Sequence, residues 1–364
     1  MDFTFNEDQQ LIQQTIQEFV ADSIEESADT VLAGLAEMGF MGIFVPEDYS
    51  GAESDFTSYV LALEELAKHS GSTALRYAIQ NTQVIYPILK YGSDALKEQC
   101  VPALASGEVI GAYAYSEAGE GEELYAIVAT AKKDGANYII NGTKTFVLNG
   151  DNAQAFFVYA NTEAGLSAFV VPADAQGVSV GEAYTKMGLD EVTAVAVTFT
   201  NVSVPEVNLV GAEGNGNTIL KDVSATHGIA LASIANGLGA KGIDKCIEYG
   251  KSRIQFKQPI INFDAPREMV GQMVINVEST RLLTYKAAVL KDSEANYIES
   301  ALVARAAALR LGEQNLRNTI QVHGGYGYTR DLGIEIMFRD VKGLQVLENF
   351  ERPLVHAIAD MVID

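Results

Sequence analysis

A carboxylate near the C-terminal end is the first candidate for chemistry. Glu348 follows the apolar residues Leu344, Val346 and Leu347 in the segment FRDVKGLQVLE. A carboxylate among apolar side chains tends to have a raised pKa, which suits a general base that works near neutral pH. The alternative is an exposed glutamate at the start of a helix, and the local sequence leaves both interpretations open.

A glycine-rich segment, QVHGGYGYTRD at residues 321–331, is the second candidate. Gly324, Gly325 and Gly327 follow a helical pattern, whereas one glycine is enough to end a helix. Glycine backbone amides can approach an anionic or planar ligand closely. The segment is therefore either a ligand-binding loop or a connector between helices.

A third candidate is SRIQFKQP at residues 252–259, where Arg253 and Gln255 follow the end of a helical pattern. The planar donors of arginine suit phosphate, although such a segment can equally be a surface loop. The chain has no GxxxxGK[ST] motif, and the glycines at 237–242 lie inside a helical pattern with no strand before them. That context excludes a Rossmann dinucleotide site and favours close helix packing.

The net charge of the 364-residue chain, −23, excludes whole classes of partner. Residues 1–125 hold 22 acidic and 4 basic side chains, whereas residues 216–364 hold 17 of each. Such an acidic first third repels nucleic acid and anionic membrane surfaces, so neither is expected as a partner. The acidity indicates either a solvated surface or a docking face for a basic partner.

Cysteine and histidine usage limits the remaining chemistry. Cys100 and Cys246 cannot make a disulfide framework or a Cys-rich zinc site, and four scattered histidines show no paired spacing for a metal. The N-terminus lacks the features of a signal peptide, and no run of about 18 apolar residues occurs. We therefore expect a cytoplasmic protein with no metal site and no membrane insertion.

Three regions of different periodicity must position these residues. Up to about residue 107 the apolar spacing is helical, with Asn6 and Gln9 placed as a capping box. From there to about residue 216 the period is two, and Asn141–Gly142 predicts a type I′ hairpin turn. Beyond it, helices are predicted at 218–251, 265–291, 296–321 and 350–362.

The predicted fold is therefore a multi-domain α+β arrangement. Its parts are an N-terminal helical domain at 1–110, a middle antiparallel β-sandwich or barrel at 111–216 and a C-terminal four-helix bundle at 217–364.

The chain resembles the acyl-CoA dehydrogenase family along nearly its whole length, including the family's helical–β–helical layout. The resemblance rests on motifs that occur in the family's order and spacing. They are VPEDYSG at 45–51, AYAYSEAGEGEE at 112–123, NGTKTFVLNG at 141–150, KMGLDEVTAVAVTFTNVSVP at 186–205, YGKSRIQFKQPI at 249–260, QVHGGYGYTRD at 321–331 and FRDVKGLQVLE at 338–348.

The resemblance implies an FAD flavoprotein that dehydrogenates the Cα–Cβ bond of an acyl thioester, with CoA as the expected thiol. One carboxylate takes the α-proton while the β-hydrogen leaves as hydride to flavin N5, and Glu348 matches that base. It also implies an electron-transfer flavoprotein as electron acceptor. The expected assembly is a homotetramer or a heteromer with a related subunit.

The cofactor contacts follow from the same resemblance. The matches to flavin-contacting positions are Tyr113, Ser116, Phe146 and Leu148. Those to residues that bind the FAD of the neighbouring subunit are Arg253, Gln255 and Phe256, and those to the loop on its ADP portion are Gln321, Gly324 and Gly325.

The sequence departs from the family pattern at its predicted substrate-binding positions, Glu122, His227 and Gly228. Glu122 replaces a serine that commonly helps to hold the thioester ligand or its phosphates, and Leu148 replaces a threonine that commonly hydrogen-bonds flavin N5. His227–Gly228 replaces a pair whose arginine commonly orients the acyl site. His227 also stands where some family branches have their base, although it can equally be an ordinary helix residue.

Three hypotheses follow from these matches and departures. The leading one is FAD-dependent α,β-dehydrogenation of an acyl thioester with Glu348 as the base. Glu122, Leu148 and Gly228 favour a second, a dehydrogenase for a non-CoA or unusual acyl thioester. The third is a non-catalytic subunit that completes the FAD site of a heteromeric partner.

Overall fold

A computed structural model describes residues 4–23, 26–118, 127–347 and 351–363. Its elements run in the predicted order of helices, strands and helices. The helices before the sheet are α1 (Glu7–Asp22), α2 (Ala28–Glu37), α3 (Phe56–His69), α4 (Gly71–Ala78), α5 (Tyr86–Tyr91) and α6 (Asp94–Ala105).

Side-chain caps fix where these helices begin. The Asn6 side chain accepts a hydrogen bond from the Gln9 amide, and the Gln9 side chain accepts one from the Asn6 amide, so the predicted capping box is confirmed. The other side-chain caps are Ser27 for α2, Asp55 for α3, Ser70 for α4 and Ser93 for α6.

A buried π-helical segment, Ile79–Ile85, joins α4 to α5. Helical turns of this kind are rare and are frequent at functional sites. The Gln80 amide group donates to the Leu104 and Val109 carbonyls, and its carbonyl accepts from the Gly111 amide. The segment thereby ties the helical region to the first strand.

Strands of the middle region form one mixed sheet, in which β1 and β2 pair parallel with β4 and the other pairs are antiparallel. The order across the sheet is β6-β7-β3-β2-β4-β5-β8, with β1 beside β4. The strands are β1 (Gly111–Ala114), β2 (Thr130–Asp134), β3 (Asn137–Leu148), β4 (Ala155–Thr162), β5 (Gly165–Pro172), β6 (Val178–Val180), β7 (Ala194–Pro205) and β8 (Leu209–Val210).

The predicted hairpin turn at Asn141–Gly142 is wrong. β3 continues through these residues and shifts its register on β7 between Ile140 and Gly142. A Cβ at Gly142 would lie 2.5 Å from the Cβ of Ala129, so glycine is needed there for close approach and not for a turn. The turn into β3 lies earlier, where Gly135 has a φ of 60°.

The helices after the sheet include the four that the sequence predicts, together with α11, which the periodicity analysis left unassigned. A two-stranded hairpin, β9 (Ile254–Gln255) and β10 (Gln258–Pro259), separates the first two. The helices are α7 (Gly216–Ser252), α8 (Asp264–Asp292), α9 (Ile298–His323), α10 (Gly325–Tyr328), α11 (Ile334–Leu347) and α12 (Glu351–Ile363).

The largest apolar core lies where the three regions meet. α7, α8 and α9 pack on one another, α3 packs on α7 and α8, and α11 and α12 pack on α9. The core reaches into the sheet region through Leu148, Leu189 and Ala194. Among the described residues, no helix combines the length and apolar character that crossing a bilayer requires.

Candidate active site

A surface cleft of about 470 Å³ lies between the end of α7, the β9–β10 hairpin and the turn after α9. Four residues that the sequence analysis predicts as cofactor-binding line it: Arg253, Gln255, Gly324 and Gly325. They come from segments about 70 residues apart in the chain. The fold therefore brings the two predicted FAD segments to one place.

Two glycines leave the backbone of this cleft open to a ligand. A Cβ added at Gly324 or Gly325 would meet no atom within 4 Å. Gly324 also has a φ of 56° and a ψ of −130°, a conformation that side chains strain. Backbone amides without side chains in front of them fit close approach by a phosphate or a planar ring.

Aromatic side chains that the sequence analysis missed supply one wall of the cleft. The Tyr249 and His323 rings stack with their centroids 4.6 Å apart and an angle of 25° between their planes, and Tyr326 lies beside them. His323 Nδ1 donates to the Thr319 carbonyl, and burial lowers the pKa of His323. Their positions in the sequence could have indicated both rings. Tyr249 precedes Arg253 by one helical turn, and His323 adjoins the glycine pair.

The chemistry of the cleft fits a nucleotide with a phosphate. An arginine suits phosphate, exposed glycine amides suit oxygen ligands, and an aromatic pair suits a planar base. Two further residues that the sequence analysis predicts as cofactor-binding do not line the cleft. Phe256 is 87% exposed on the hairpin, with a φ of 50°, and Gln321 is exposed on the last turn of α9. Both are accessible to a second subunit.

Ser116 and Phe146 lie next to each other at a distortion of β3. The Thr145 amide donates to the Ser116 carbonyl over 2.8 Å, and the Ser116 hydroxyl donates to the Thr145 carbonyl. Phe146 has a φ of 52° where the register on β7 shifts again. Its ring is 49% exposed and stacks on Tyr184 at 4.6 Å, so it presents an aromatic face to solvent or to a flavin.

A buried ion pair, Lys144–Glu117, holds the chain on either side of Ser116. Lys144 Nζ donates to Glu117 Oε1 over 2.5 Å and to the Tyr115 carbonyl over 3.2 Å. The Glu117 carboxylate also accepts from the amides of Val128 and Ala129. Burial lowers the pKa of Lys144, and the Glu117 carboxylate opposes that change. The pair thus clamps both ends of the chain segment that runs from β1 to β2.

Tyr113 and Leu148 are buried in the protein interior. Tyr113 packs against Phe157 and Tyr159, and its hydroxyl lies 3.3 Å from that of Tyr159. Leu148 is 5% exposed within the largest core. Glu122 and Glu348, the predicted substrate ligand and the predicted base, lie outside the described residues.

His227 and Gly228 lie buried in α7, and Thr82 of the π-helical segment faces the histidine. Thr82 Oγ1 is 2.7 Å from His227 Nδ1 and 2.7 Å from the Ala78 carbonyl, to which it donates. Because a hydroxyl has one hydrogen, Thr82 accepts from the histidine, and His227 Nδ1 carries a proton. Sequence reasoning missed Thr82.

One turn further towards the start of α7, a polar cluster surrounds Asp222. Its carboxylate accepts hydrogen bonds from Lys90, Tyr86, Tyr91 and Tyr297, at 2.6–2.8 Å. Burial alone would raise the pKa of Asp222, but these hydrogen bonds outweigh it and the pKa is lowered. The carboxylate therefore stays ionised and links α5 to α7.

Lys291 borders the same cluster. Its ammonium lies 3.7 Å from the Tyr86 ring centroid and 4.6 Å from that of Tyr297, and donates to Thr226 Oγ1 over 3.1 Å. Burial lowers its pKa to about 7. The region next to His227 is thus polar and aromatic.

Comparison with known proteins identifies a family along the whole chain. Three models match in order: the acyl-CoA dehydrogenase N-terminal domain at 6–108, middle domain at 112–202 and C-terminal domain at 216–348. A short-chain specific acyl-CoA dehydrogenase of Clostridium acetobutylicum is 32% identical over 96% of both chains. The rat short/branched chain specific mitochondrial enzyme is 32% identical over 98% of this chain and 86% of its own.

Two solved structures superpose closely on this chain. The chain superposes on butyryl-CoA dehydrogenase of Megasphaera elsdenii with a TM-score of 0.94 and 27% identity, over 100% of both chains. It superposes with a TM-score of 0.96 and 31% identity on a chain from the structure of the electron transferring flavoprotein of Acidaminococcus fermentans, over 100% of this chain and 99% of that one.

Proposed function

Because this chain belongs to the acyl-CoA dehydrogenase family, and so is an FAD-dependent oxidoreductase acting on CH–CH bonds, we propose that it removes one hydrogen each from Cα and Cβ of an acyl-CoA thioester. The observation that carries the proposal is the cleft in which Arg253, Gln255, Gly324 and Gly325 meet. It joins two predicted FAD segments that are distant in sequence.

Arg253 and the two glycines would hold the phosphate-bearing part of FAD, and the stacked Tyr249 and His323 rings would support its adenine. Phe146, with Ser116 beside it, would lie against the flavin ring. When bound, FAD accepts the hydride from Cβ and leaves the α-proton to a protein base.

The proposed base is Glu348. Proton transfer to a positioned carboxylate contributes about 10²- to 10⁴-fold to such reactions. Glu348 directly follows α11, which is anchored on α9 by a hydrogen bond of 3.0 Å from Gln345 Nε2 to the Leu309 carbonyl. This anchor supports the proposal because it fixes the helix that directly precedes Glu348 in the sequence.

The proposed FAD site needs a second subunit, since the resemblance assigns Arg253 and Phe256 to the cofactor of a neighbour. The 87% exposure of Phe256 supports that assignment. We therefore propose a homotetramer or a heteromer with a related subunit. An electron-transfer flavoprotein is the proposed electron acceptor, and the cytoplasm is the proposed location.

A thioester other than an acyl-CoA is the second candidate substrate. Leu148 offers no hydroxyl and is buried, and Gly228 offers no cation from α7. Gly228 also shares α7 with Asp222, whose carboxylate is surrounded by a buried polar cluster. A carrier-bound or pantetheine thioester would share the reactive Cα–Cβ bond and differ only in its thiol arm.

Anaerobic titration of the FAD-loaded protein tests these proposals. Saturated acyl-CoA esters of increasing chain length should bleach the flavin absorbance near 450 nm, as reduction by a thioester requires. Bleaching by acyl-pantetheine or carrier-bound esters alone would select the second candidate. No bleaching by any of these esters would refute the dehydrogenase proposal and favour the non-catalytic subunit.

A further inference from the structure

Tyr184 is an exposed aromatic residue that the proposed mechanism has not used. It lies between β6 and β7, in a segment without regular secondary structure, and it is 39% exposed. Its ring stacks on that of Phe146, with the two centroids 4.6 Å apart and 25° between the planes. This geometry lies within the range that aromatic pairs favour, so the contact adds stability beyond the area that it buries.

The backbone of Phe146 departs from regular strand geometry. The register of β3 on β7 shifts between Lys144 and Val147, and Phe146 within this distortion has a φ of 52°. A bulge re-aims a side chain, and a positive φ is strained for a bulky residue. Phe146 is consequently 49% exposed, so packing in the protein core does not by itself fix its ring.

The backbone of Tyr184, in contrast, is anchored beside the end of β3. Its amide donates to the Ala194 carbonyl over 2.8 Å. Ala194 of β7 is paired with Leu148 of β3, which lies two residues after Phe146. Tyr184 is therefore bonded to the strand that runs beside the Phe146 distortion.

The segment that carries Tyr184 is also bonded to α11. The Leu189 amide donates to Asp340 over 2.6 Å, and the Met187 carbonyl accepts from Arg339 over 2.7 Å. The segment is thus held at Tyr184 itself and again a few residues later. These bonds make Tyr184 the fixed member of the aromatic pair.

The contact between the two residues is one of ring on ring. No third aromatic ring joins the pair within the part of the chain that the structure describes. The Tyr184 hydroxyl makes no hydrogen bond to another described residue. Tyr184→Phe would therefore preserve the contact, whereas Tyr184→Ala would remove it.

We propose that Tyr184 is a positioning residue, which fixes the Phe146 ring as a preformed surface for the flavin ring. This inference rests on the proposed function, in which Phe146 lies against the flavin. A ring that is already oriented loses little conformational freedom when a ligand stacks on it, so the ligand binds more tightly. One face of the Phe146 ring contacts Tyr184, and its exposed surface remains for the flavin.

The first test is a double-mutant cycle on FAD affinity, with Tyr184→Ala, Phe146→Leu and the variant that carries both. The FAD-free protein of each variant is titrated with FAD, and the change in flavin fluorescence gives the dissociation constant. Each single variant should bind FAD about threefold to tenfold more weakly, which is the range that an aromatic contact contributes. The double variant should bind no more weakly than Phe146→Leu, because Tyr184 acts through that ring.

Two controls accompany this cycle. Tyr184→Phe keeps the stacked ring, so it should bind FAD as the wild type does. Thr185→Ala changes an exposed neighbour in the same segment and should also match the wild type. Thermal unfolding of all the variants checks that they are equally well folded.

The second test observes the ring before FAD binds. The chain contains no tryptophan, so Phe146→Trp introduces a single indole as a fluorescent reporter. In the FAD-free protein, adding Tyr184→Ala should increase the fast loss of fluorescence anisotropy that local ring motion causes. Adding Tyr184→Phe should leave the anisotropy decay unchanged. This measurement needs no cofactor, so it does not depend on the proposed function.

Three results would overturn the inference while leaving the proposed function intact. The first is a Tyr184→Ala protein that binds FAD as tightly as the wild type, or more tightly, beside a weakened Phe146→Leu. The second is a double variant whose loss is the product of the two single losses, because Tyr184 would then act independently of Phe146. The third is an anisotropy decay that Tyr184→Ala does not change.

A failure of the proposed function has a different signature. Phe146→Leu with wild-type FAD affinity would refute the position of Phe146 against the flavin, and the inference with it. A wild-type protein that binds FAD but that no thioester reduces would refute the dehydrogenase proposal and leave the binding cycle readable. The two kinds of failure are therefore distinguishable.

Discussion

At the scale of single residues, the buried Lys144–Glu117 pair shows how the protein holds a predicted flavin-facing segment. Both side chains are almost inaccessible to solvent, with 0% and 2% exposed. Removing one partner of such a pair leaves a buried charge uncompensated, whereas replacing both costs much less. The pair is therefore a sensitive point of the structure.

We predict that Glu117→Gln lowers the free energy of unfolding by about 3 kcal/mol, because Lys144 loses its carboxylate. Adding Lys144→Met to that variant should restore part of the loss. Thermal unfolding followed by circular dichroism checks both variants, with Glu163→Gln as the exposed control. A Glu117→Gln protein as stable as the control would contradict the prediction.

Sequence reasoning predicted four of the residues that line the proposed FAD cleft, but only some of the groups around them. Arg253 and Gly324 belong to contiguous motifs, so their types and spacing are visible in the sequence. The contacts of Thr82 with His227 and of Arg305 with Gly228 join residues more than 70 positions apart. Nothing local in the sequence marks such pairs.

At the scale of elements, α11 is the helix that directly precedes the predicted base, Glu348, in the sequence. Asp340 accepts a hydrogen bond from the Leu189 amide, and Arg339 donates to the Met187 carbonyl and to Asp190. Leu189 has a φ of 56°, so a strained turn in the sheet region is held by this helix. α11 thus joins the sheet to the helices around the site.

The titration of Asp340 should make this contact depend on pH. Burial raises the pKa of Asp340 to about 6, from an ordinary value of 3.8. The protonated form is favoured in the folded state, so its stabilising contribution is complete below pH 3.8 and is lost as the pH rises through 6.

We predict that Asp340→Asn, which cannot titrate, gains stability relative to the wild type between pH 4 and pH 7. The gain should approach about 3 kcal/mol, and melting temperatures across this range measure it. Asp360→Asn, at an exposed position, is the control. A difference from the wild type that stays constant with pH would show that Asp340 does not titrate in this range.

Local sequence patterns predicted helix caps and turns correctly only where residues close in sequence determine the structure. The capping box at Asn6 depends on residues three apart, and it is present. The Asn141–Gly142 pair resembles a turn, but its glycine allows close contact with Ala129, which directly precedes β2, and no local pattern shows this contact. α11 was not assigned, although Ile334, Phe338 and Val341 follow helical spacing, and the contacts of its charged residues with other elements are visible only in the structure.

At the scale of the whole molecule, the proposed FAD site is shared between subunits. One chain would supply the base, and its neighbour would supply Arg253. Two variants that are each inactive can then complement each other in a mixed oligomer. Complementation therefore tests both whether the chains form an oligomer and whether two chains contribute to one active site.

We predict that Arg253→Met and Glu348→Gln are each nearly inactive, and that unfolding and refolding them together restores activity. Random pairing should recover about a quarter of the wild-type activity, because half of the dimers are mixed and each has one intact site. Arg267→Met, an exposed arginine on α8, replaces Arg253→Met in the control mixture. Recovery no greater than that of separately refolded proteins would indicate a site within one subunit.

The charge distribution also belongs to this scale. The segments that line the proposed FAD cleft come from the electrically balanced last third of the chain, and the acidic excess lies in the first third. A cleft built there avoids repulsion of the cofactor phosphates.

Dehydrogenation itself is tested most directly by the mass of the thioester after one anaerobic turnover with FAD-loaded protein. We predict that the saturated acyl-CoA ester that bleaches the flavin best loses two hydrogens, with about one unsaturated product per FAD. Glu348→Gln should keep its FAD and form product at least about 100-fold more slowly. An unchanged thioester mass beside a fully loaded wild-type flavin would contradict the proposed function.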